Sequence, residues 1–332
     1  MAFRDREKRR LVDLKPRLFS ASACKSGVYR KRERDFCLRN DRAKENLHAS
    51  IREEALHYFS ERGIGWHYGI GNGPSNHLCC SQSCCVNFWF PFIDAPEQLA
   101  QVLRGLGYEV AEMLPFELDG SGNSCPYVAF EWIGERNYLR ERVRRKVALD
   151  DQRTRGANFT SLDFAFRFLR TDGRIQIVAG EWKYTESYGG RNIQISRNET
   201  DRLKIYRPAL EDRRCQIKRG RLAPEDLFFD PFDQLMRQQL LCSFMEGQRE
   251  MKADVVSLLH VAPKANRQLM ARVTSPALQS YGSDIHEVWG KLVKSGRFSG
   301  KSVEEDLLPL VQRYAPDAQW ADYMQLRYGG MQ

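Results

Sequence analysis

Hydrophobic and polar positions follow two different periods along the chain, so both helices and strands are expected. Apolar residues recur three or four positions apart in three segments, which predicts amphipathic helices over 43–62, 96–106 and 232–245. Apolar runs bounded by glycine, proline or polar turns predict strands over 108–118, 127–133 and 254–261. Two further helices are predicted, a buried one within 77–92 and a charged one over 135–149.

The most regular alternation predicts a β-hairpin. Apolar side chains occupy every second position from 162 to 168, and 175–179 is typical of a second, more buried strand. The segment 171–173 (TDG) between them is a three-residue loop whose glycine suits a positive φ. With that loop, the register places Asp163 directly opposite Glu181. A two-residue loop would instead move Asp163 to the other face of the sheet.

This hairpin would gather an Asp, a Glu and a Lys at its open end. Lys183 follows Glu181 on the same face, and cross-strand partners such as Asp163 and Glu181 have Cβ atoms about 4.5–5.5 Å apart. Two carboxylates that close repel unless a cation lies between them, and oxygen ligands suit Mg²⁺ or Mn²⁺. A lysine beside them suits phosphodiester hydrolysis, because it stabilises charge on a phosphate. The alternative is a surface salt bridge of either acid with Lys183, which the apolar neighbours disfavour.

These residues resemble the D…(D/E)xK signature of the PD-(D/E)XK nuclease superfamily, the restriction-endonuclease-like fold. Leu162 stands where the signature has proline. Local matches extend the resemblance to a prokaryotic branch of that superfamily, over roughly 45–294. They are HLCCSQSCCVNFWFPF at 77–92, FEWI at 130–133, RGANFTSLDFAF at 155–166 and GEWKYTESY at 180–188.

The resemblance implies an α/β (α+β) fold with an αβββαβ core, in which helices and extra helical segments flank a mixed central sheet. It also implies that Asp163 and Glu181 are metal ligands, with the backbone carbonyl of Trp182 as a further ligand and Lys183 as the catalytic lysine. The cofactor would be Mg²⁺ or Mn²⁺.

Many members add a glutamate from a preceding helix. Glu141 is the first candidate for that role and Glu54 the second, although each also fits an ordinary acid on a helix surface. Two polar pairs spaced one turn apart could reach the site, or could equally be solvated helix faces. They are Arg202 with Tyr206, and Gln234 with Gln238.

The formal net charge of +9 comes from one end of the chain. Residues 1–44 hold fifteen Lys or Arg against six Asp or Glu, which equals the whole excess. We therefore expect a basic, flexible N-terminal arm over 1–44, a nuclease-like domain over 45–294 and a helical extension over 295–332. Whole-chain charge is thus poor evidence for what the neutral body binds.

Two basic stretches of the body flank the predicted site. Residues 136–155 hold eight Lys or Arg and three acids, and 191–222 hold ten and four. Because such residues supply most non-specific affinity for nucleic acid, we expect contacts to phosphates from these stretches. An equal alternative for the first stretch is a solvated helix with mixed charges. The candidates for phosphate contacts are Arg144, Arg145, Arg155 and Arg202.

Cysteine content and hydropathy indicate the cellular compartment in which the protein is expected. Of nine cysteines, four form CCSQSCC at 79–85, a spacing unlike paired CxxC zinc motifs. Reduced, partly buried thiols are favoured over a zinc or iron–sulfur site. No stretch is apolar and long enough to span a membrane, and the N-terminus lacks an apolar signal core. The expectation is a cytoplasmic protein without a membrane partner.

The leading hypothesis is a Mg²⁺-dependent endonuclease acting on DNA, with RNA left open as a substrate. The oligomeric state is open, with a homodimer as one option because cutting both strands often involves two active sites. One alternative is a catalytically inactive nucleic-acid-binding protein on the same fold. Another is an interaction protein whose basic arm docks an acidic partner.

Overall fold

A computed structural model describes residues 1–117, 126–143, 146–157, 159–196, 198–220 and 222–331. The helices of these ranges are α1 (Phe3–Leu18), α2 (Arg52–Glu61), α3 (Ser81–Trp89), α4 (Pro96–Gly105), α5 (Arg202–Leu210), α6 (Phe232–Gly247), α7 (Arg267–Met270), α8 (Ile285–Leu292), α9 (Leu308–Arg313) and α10 (Ala318–Tyr328). The strands are β1 (Gly27–Tyr29), β2 (Arg32–Arg34), β3 (Val110–Leu114), β4 (Val128–Trp132), β5 (Arg142–Val143), β6 (Lys146–Val147), β7 (Leu162–Arg170), β8 (Ile175–Trp182), β9 (Val255–Ala262) and β10 (Phe298–Ser302).

Six strands form a mixed central sheet in the order β10-β9-β8-β7, with β3 and β4 both on the outer edge of β7. Strand β9 runs parallel to β8 and to β10, whereas β7 is antiparallel to β8, β3 and β4. Strand β4 pairs with the first half of β7 and β3 with the second half. Two segments in line therefore share the edge position beside β7.

Alternate side chains of the sheet enter two hydrophobic cores. Phe164, Phe166 and Phe168 of β7 pack on one side with Trp89 of α3 and Leu103 of α4. Ala165 lies on the other side, in the core that contains α6 and α8. The predicted α+β architecture, a mixed sheet between helical layers, is confirmed. Strand β9 is buried along its whole length, as expected for a parallel strand covered on both faces.

Most predicted elements of the core are present within a few residues of the expected bounds, but the first helix is shorter. A 3₁₀ turn occupies Asn40–Asn46, and α2 begins only at Arg52. The prediction of a charged helix over 135–149 is wrong, because this stretch contains a turn and the short strands β5 and β6. The Asn137 side chain explains the turn, since it bonds the backbone of Glu141 and of Ala148 at 2.9 Å each.

The first 44 residues, expected to be a flexible arm, are instead packed onto the body. Every fourth residue of α1 is buried, beginning with Phe3, Glu7 and Leu11. This stripe is half charged, so the hydrophobic pattern does not reveal it. The C-terminal segment likewise joins the same cores. Strand β10 pairs with β9, and Trp320 of α10 packs in the core beside the α3 layer.

The eight cysteines in the described ranges form no disulfide bonds with one another. Cys79, Cys84 and Cys85 are buried around α3, and burial raises the pKa of each thiol above its ordinary value. These thiols therefore pack as small apolar groups. No helix in the described part of the chain is long and apolar enough to cross a membrane.

Candidate active site

The β7–β8 hairpin has the register predicted from its loop. Phe164 pairs with Gly180, and the backbone N–H of Arg170 donates to the carbonyl of Arg174 across a three-residue loop at 2.8 Å. Gly173 closes that loop with a φ of +81°. Continuing the register by one residue brings Asp163 of β7 opposite Glu181 of β8.

The predicted acids and lysine lie together on the face of the sheet that α6 covers. Glu181 is fully buried and forms an ion pair with Lys183 Nζ. Asp163 is half-buried, and its Oδ2 accepts the backbone N–H of Trp182 at 2.7 Å. That bond fixes the Asp163 carboxylate against the strand that carries Glu181. The Trp182 side chain points to the opposite face, where it packs with Phe88.

Charge is crowded at this point of the sheet. Burial first, and then the carboxylates of Glu181 and Glu131, raise the pKa of Asp163 well above its ordinary value. Burial is the largest single effect and lowers the pKa of Lys183, but the combined attraction of Glu181, Tyr188, Glu186 and Asp163 outweighs it, so the pKa is raised well above its ordinary value. The lysine is therefore a charged ammonium here, and it balances only part of the negative charge of the acids.

The donor set fits a hard divalent cation of the kind that keeps part of its water shell. Glu181 Oε1 is buried without a hydrogen bond, and its ion-pair partner is Lys183. In the described ranges, no group of three or more His, Cys, Asp or Glu side chains could hold a metal ion. A cation here would thus rely on Asp163 and Glu181, with backbone, water or substrate oxygens as further ligands. Mg²⁺ commonly binds proteins through one or two carboxylates in this way.

Glu131 is a third acid at this site, and the sequence pattern did not single it out. Strand β4 pairs with β7 at Phe130–Phe164 and Trp132–Leu162, which places Glu131 beside Asp163 on the side away from β8. The Glu131 backbone has a φ of +50°, uncommon for a residue other than glycine. The pKa of its carboxyl group is raised, mainly by burial. The available signal was an acid inside an otherwise apolar strand.

Two side chains hold the Glu131 carboxylate in place. Gln82 Nε2 and Ser161 Oγ each donate to it at 2.9 Å. Gln82 lies in the first turn of α3, within the 77–92 segment that resembles a recurrent family motif. Gln82 of that segment thus has a physical role, which is to orient an acid beside Asp163.

Helix α6 reaches the site through the glutamine pair that the sequence analysis assigned to either a solvated face or the site. Gln238 is buried, and its amide donates to Glu181 and, at 3.0 Å, to the carbonyl of Ser161. Gln234 Oε1 accepts from Lys183 Nζ at 2.7 Å. Both glutamines also line a cleft of about 1390 Å³ that opens beside the site.

Glu141 and Glu54, the two candidates for an additional acid, lie elsewhere. Glu141 lines the cleft, but its carboxylate accepts from Thr160 N at 2.9 Å, Thr160 Oγ1 at 2.5 Å and Tyr206 OH at 3.0 Å. Glu54 is exposed in the first turn of α2. Of the acids considered, Glu131 is the one that acts on the pKa of Asp163 together with Glu181.

The arginines predicted to contact nucleic acid are placed differently from one another. Arg202 lines the cleft beside Arg237, and both guanidinium groups contact Asp233 Oδ2, at 3.5 Å and 3.0 Å. Arg155 is turned inward, where its guanidinium bonds Glu117 and the carbonyl of Phe130. Arg144 and Arg145 lie outside the described residues. Arg237 was not singled out from the sequence.

Comparison with known proteins supports the fold assignment at the level of family. No curated protein and no solved structure matches the chain. A family model described as "Restriction Endonuclease associating with ARP" matches residues 10–329, nearly the whole chain and including every acid of the site. This protein therefore belongs to that restriction-endonuclease-like family.

Proposed function

We propose that this protein is a Mg²⁺- or Mn²⁺-dependent endonuclease of the PD-(D/E)XK type that hydrolyses phosphodiester bonds in DNA. The observation that carries the proposal is the register of the β7–β8 hairpin, which sets Asp163 beside Glu181 and Lys183 under a polar cleft. Membership of a restriction-endonuclease family supports it. DNA as the partner, a cytoplasmic location and a homodimeric assembly are further parts of the proposal.

In this proposal, Asp163 and Glu181 hold the cation, together with the Trp182 carbonyl. When bound, the metal supplies a more acidic water and neutralises charge on the phosphate. Lys183, as a charged ammonium, donates a hydrogen bond to an oxygen of the attacked phosphate and stabilises the negative charge that develops there. Gln238 keeps the Glu181 carboxylate in position, and Glu131 adds negative charge that favours a cation over an empty site.

The cleft supports the assignment of a nucleic acid substrate. Arg202 and Arg237 share one buried acid, Asp233, so each keeps N–H groups for another acceptor. Arg237 also donates to Thr160 at 3.2 Å, and its side chain is about one quarter exposed. In the proposal, these two guanidinium groups bind phosphates that flank the attacked one.

A cleavage assay tests the proposal directly. Purified protein should cut plasmid, linear duplex or single-stranded DNA with Mg²⁺ and stop in EDTA. Asp163→Ala, Glu181→Ala and Lys183→Ala should each lower the rate by roughly 10²-fold or more, since each removes a group at the reacting phosphate. Glu287→Gln, at an exposed acid of α8, is the matched control and should cut like the wild type. Metal-dependent cleavage that survives all three alanine variants would disprove the site.

A second candidate function is nucleic-acid binding without catalysis. The observation that favours it is the closed Glu181–Lys183 ion pair, which occupies one of the expected ligands. Salt-sensitive DNA or RNA binding without metal-dependent cleavage of any substrate would support this candidate over the nuclease.

A further inference from the structure

The turn of the β1–β2 hairpin is built from residues that a tight hairpin normally avoids. Arg30 and Lys31 are its two central residues, and both have positive φ, 49° and 63°. Two-residue hairpins of this kind favour asparagine and glycine, because other residues are strained at positive φ. Both side chains are exposed, so packing does not explain their presence. Such strain is commonly kept where a side chain has a function.

Aromatic rings lie close to Arg30 of this turn and to Lys8 of the neighbouring helix α1. The Arg30 guanidinium sits 5.4 Å from the ring centre of Tyr29 and 5.1 Å from that of Tyr68, and donates to the Tyr68 hydroxyl at 3.0 Å. Lys8 Nζ of α1 lies 4.1 Å from the ring centre of Phe36. Tyr68 is 65% exposed, which leaves much of its ring open to a ligand.

The hairpin surface, as we call it, comprises Arg4, Lys8, Tyr29, Arg30, Lys31, Arg32, Arg34, Phe36 and Tyr68. Three of its cations, Lys8, Arg4 and Arg30, act on the ring of His77, which lies 4.9 Å from both Tyr29 and Phe36. Burial first, and then Lys8, Arg4 and Arg30, lower the pKa of His77 to about 4. The six cations of this surface lie in two segments that also hold four acids, Asp5, Glu7, Glu33 and Asp35, of which Glu7 is buried.

This surface is connected to the candidate active site through a short chain of bonds. Tyr68 also has a positive φ, 52°, and follows His67 in the loop after α2. The backbone N–H of His67 donates to Gln82 Oε1 at 2.8 Å, and Gln82 Nε2 donates to Glu131 beside Asp163. The same glutamine thus touches the loop that carries Tyr68 and the acid of the site.

We propose that the hairpin surface is a second nucleic-acid contact, which binds a single-stranded segment of the substrate. Cations match the phosphates, and the exposed ring of Tyr68 beside them, with the partly exposed Tyr29 and Phe36, is the kind of surface on which unpaired bases stack. The choice of nucleic acid as the partner rests on the proposed function. The location, however, rests on the strained turn and its aromatic rings, which the cleavage mechanism does not use.

Binding in EDTA tests this surface separately from catalysis. The probe is a fluorescein-labelled 30-nucleotide single strand, with the corresponding duplex in a second arm, followed by anisotropy over a salt series. Lys31→Gln/Arg32→Gln should weaken single-strand binding about tenfold and lower the salt slope by roughly 1.4, as expected for two lost phosphate contacts. Tyr68→Ala should weaken single-strand binding about tenfold and duplex binding much less. The control, Lys291→Gln/Lys294→Gln, removes two exposed cations at the end of α8.

Lys31→Gly separates a lost contact from a folding defect. Glycine relieves the strain at φ 63°, so this variant should melt at the same temperature or higher while binding the single strand more weakly. Hairpin variants that bind like the wild type, or that lose no more affinity than the α8 control, overturn the inference and leave the nuclease proposal standing. Loss of Mg²⁺-dependent cleavage by Glu181→Ala with intact hairpin-dependent binding supports both. A wild-type protein that cuts DNA but binds no single strand in EDTA also overturns the inference.

Discussion

At the scale of single residues, Glu141 in the cleft and Asp163 beside it differ in how many hydrogen bonds the protein offers their carboxylates. Glu141 accepts three hydrogen bonds from Thr160 and Tyr206, so its charge is compensated within the fold. Asp163 has one backbone bond and two neighbouring acids. A buried carboxylate near like charges is costly when ionised, and a cation removes that cost. The number of hydrogen bonds that each carboxylate accepts therefore distinguishes a structural acid, Glu141, from a candidate metal ligand, Asp163.

Asp163→Asn should make the metal-free protein more stable. Because the pKa of Asp163 is raised in the folded state, the unfolded chain loses this proton first as the pH rises, and stability falls above about pH 4. Asparagine removes that loss and keeps an oxygen for the Trp182 N–H. We expect a melting temperature about 2 °C higher in EDTA at pH 7, and no further rise with Mg²⁺, which should stabilise the wild type.

Glu141→Gln is the matched control for Asp163→Asn, since it neutralises an acid of the cleft that opens beside the site. An amide must place its NH₂ group against donors of Thr160 or Tyr206, so this variant should melt at a lower temperature. It should nevertheless keep the Mg²⁺-induced stabilisation. Scanning calorimetry measures these melting temperatures. If Mg²⁺ raises the melting temperature of Asp163→Asn as much as that of the wild type, the assignment of Asp163 as a ligand is contradicted.

At the scale of elements, helix α6 covers the site, and its glutamines contact Glu181 and Lys183. Its amphipathic pattern predicted the helix, but a polar pair one turn apart has the same appearance whether it faces water or a buried acid. Gln234 and Gln238 could therefore be placed only from the packing of α6 on β8 and β9. The same holds for Arg237, whose partner Asp233 lies one turn earlier on the helix.

Gln238→Ala should weaken metal binding without a comparable loss of thermal stability. The amide of Gln238 bonds Glu181, and loss of a partner that orients a ligand typically weakens metal affinity about 10–100-fold. Gln239→Ala is the control, because Gln239 is equally buried but bonds Gln216 on the other side of the helix. Titration calorimetry with Mn²⁺ should show weaker binding for Gln238→Ala alone, whereas both variants should lose some thermal stability. Equal affinities in the two variants would argue against a positioning role.

Features set by neighbouring residues could be predicted from the sequence, whereas features set by the pairing of distant segments could not. The β7–β8 register followed from a short loop whose chemistry is visible in the sequence, so Asp163, Glu181 and Lys183 could be brought together in advance. Glu131 lies on β4, and only the pairing of β4 with β7 across the intervening residues places it at the site. The charged stretch over 135–149 does not form the predicted helix, because the Asn137 side chain fixes a turn that charge periodicity does not encode.

At the scale of the whole molecule, the two ends of the chain meet behind the site. Helix α1 packs against α10, where Arg10 Nη2 donates to the carbonyl of Arg327 at 2.6 Å. Glu7 of α1 accepts from the Tyr184 hydroxyl at 2.8 Å, and Tyr184 follows Lys183 directly. The basic N-terminal segment thus supports the strand end that carries the site, in addition to presenting cations on the hairpin surface.

Glu7→Ala is expected to destabilise the fold, because it removes a buried acid that is bound on two sides. Its loss leaves Arg10 without its ion pair at 2.7 Å and the buried Tyr184 hydroxyl without its acceptor. We expect the free energy of unfolding to fall by about 3 kcal/mol in urea denaturation. Asp13→Ala, at an exposed acid of the same helix, should change it by less than about 0.5 kcal/mol. A mobile arm would make both substitutions neutral, whereas a packed α1 requires them to differ.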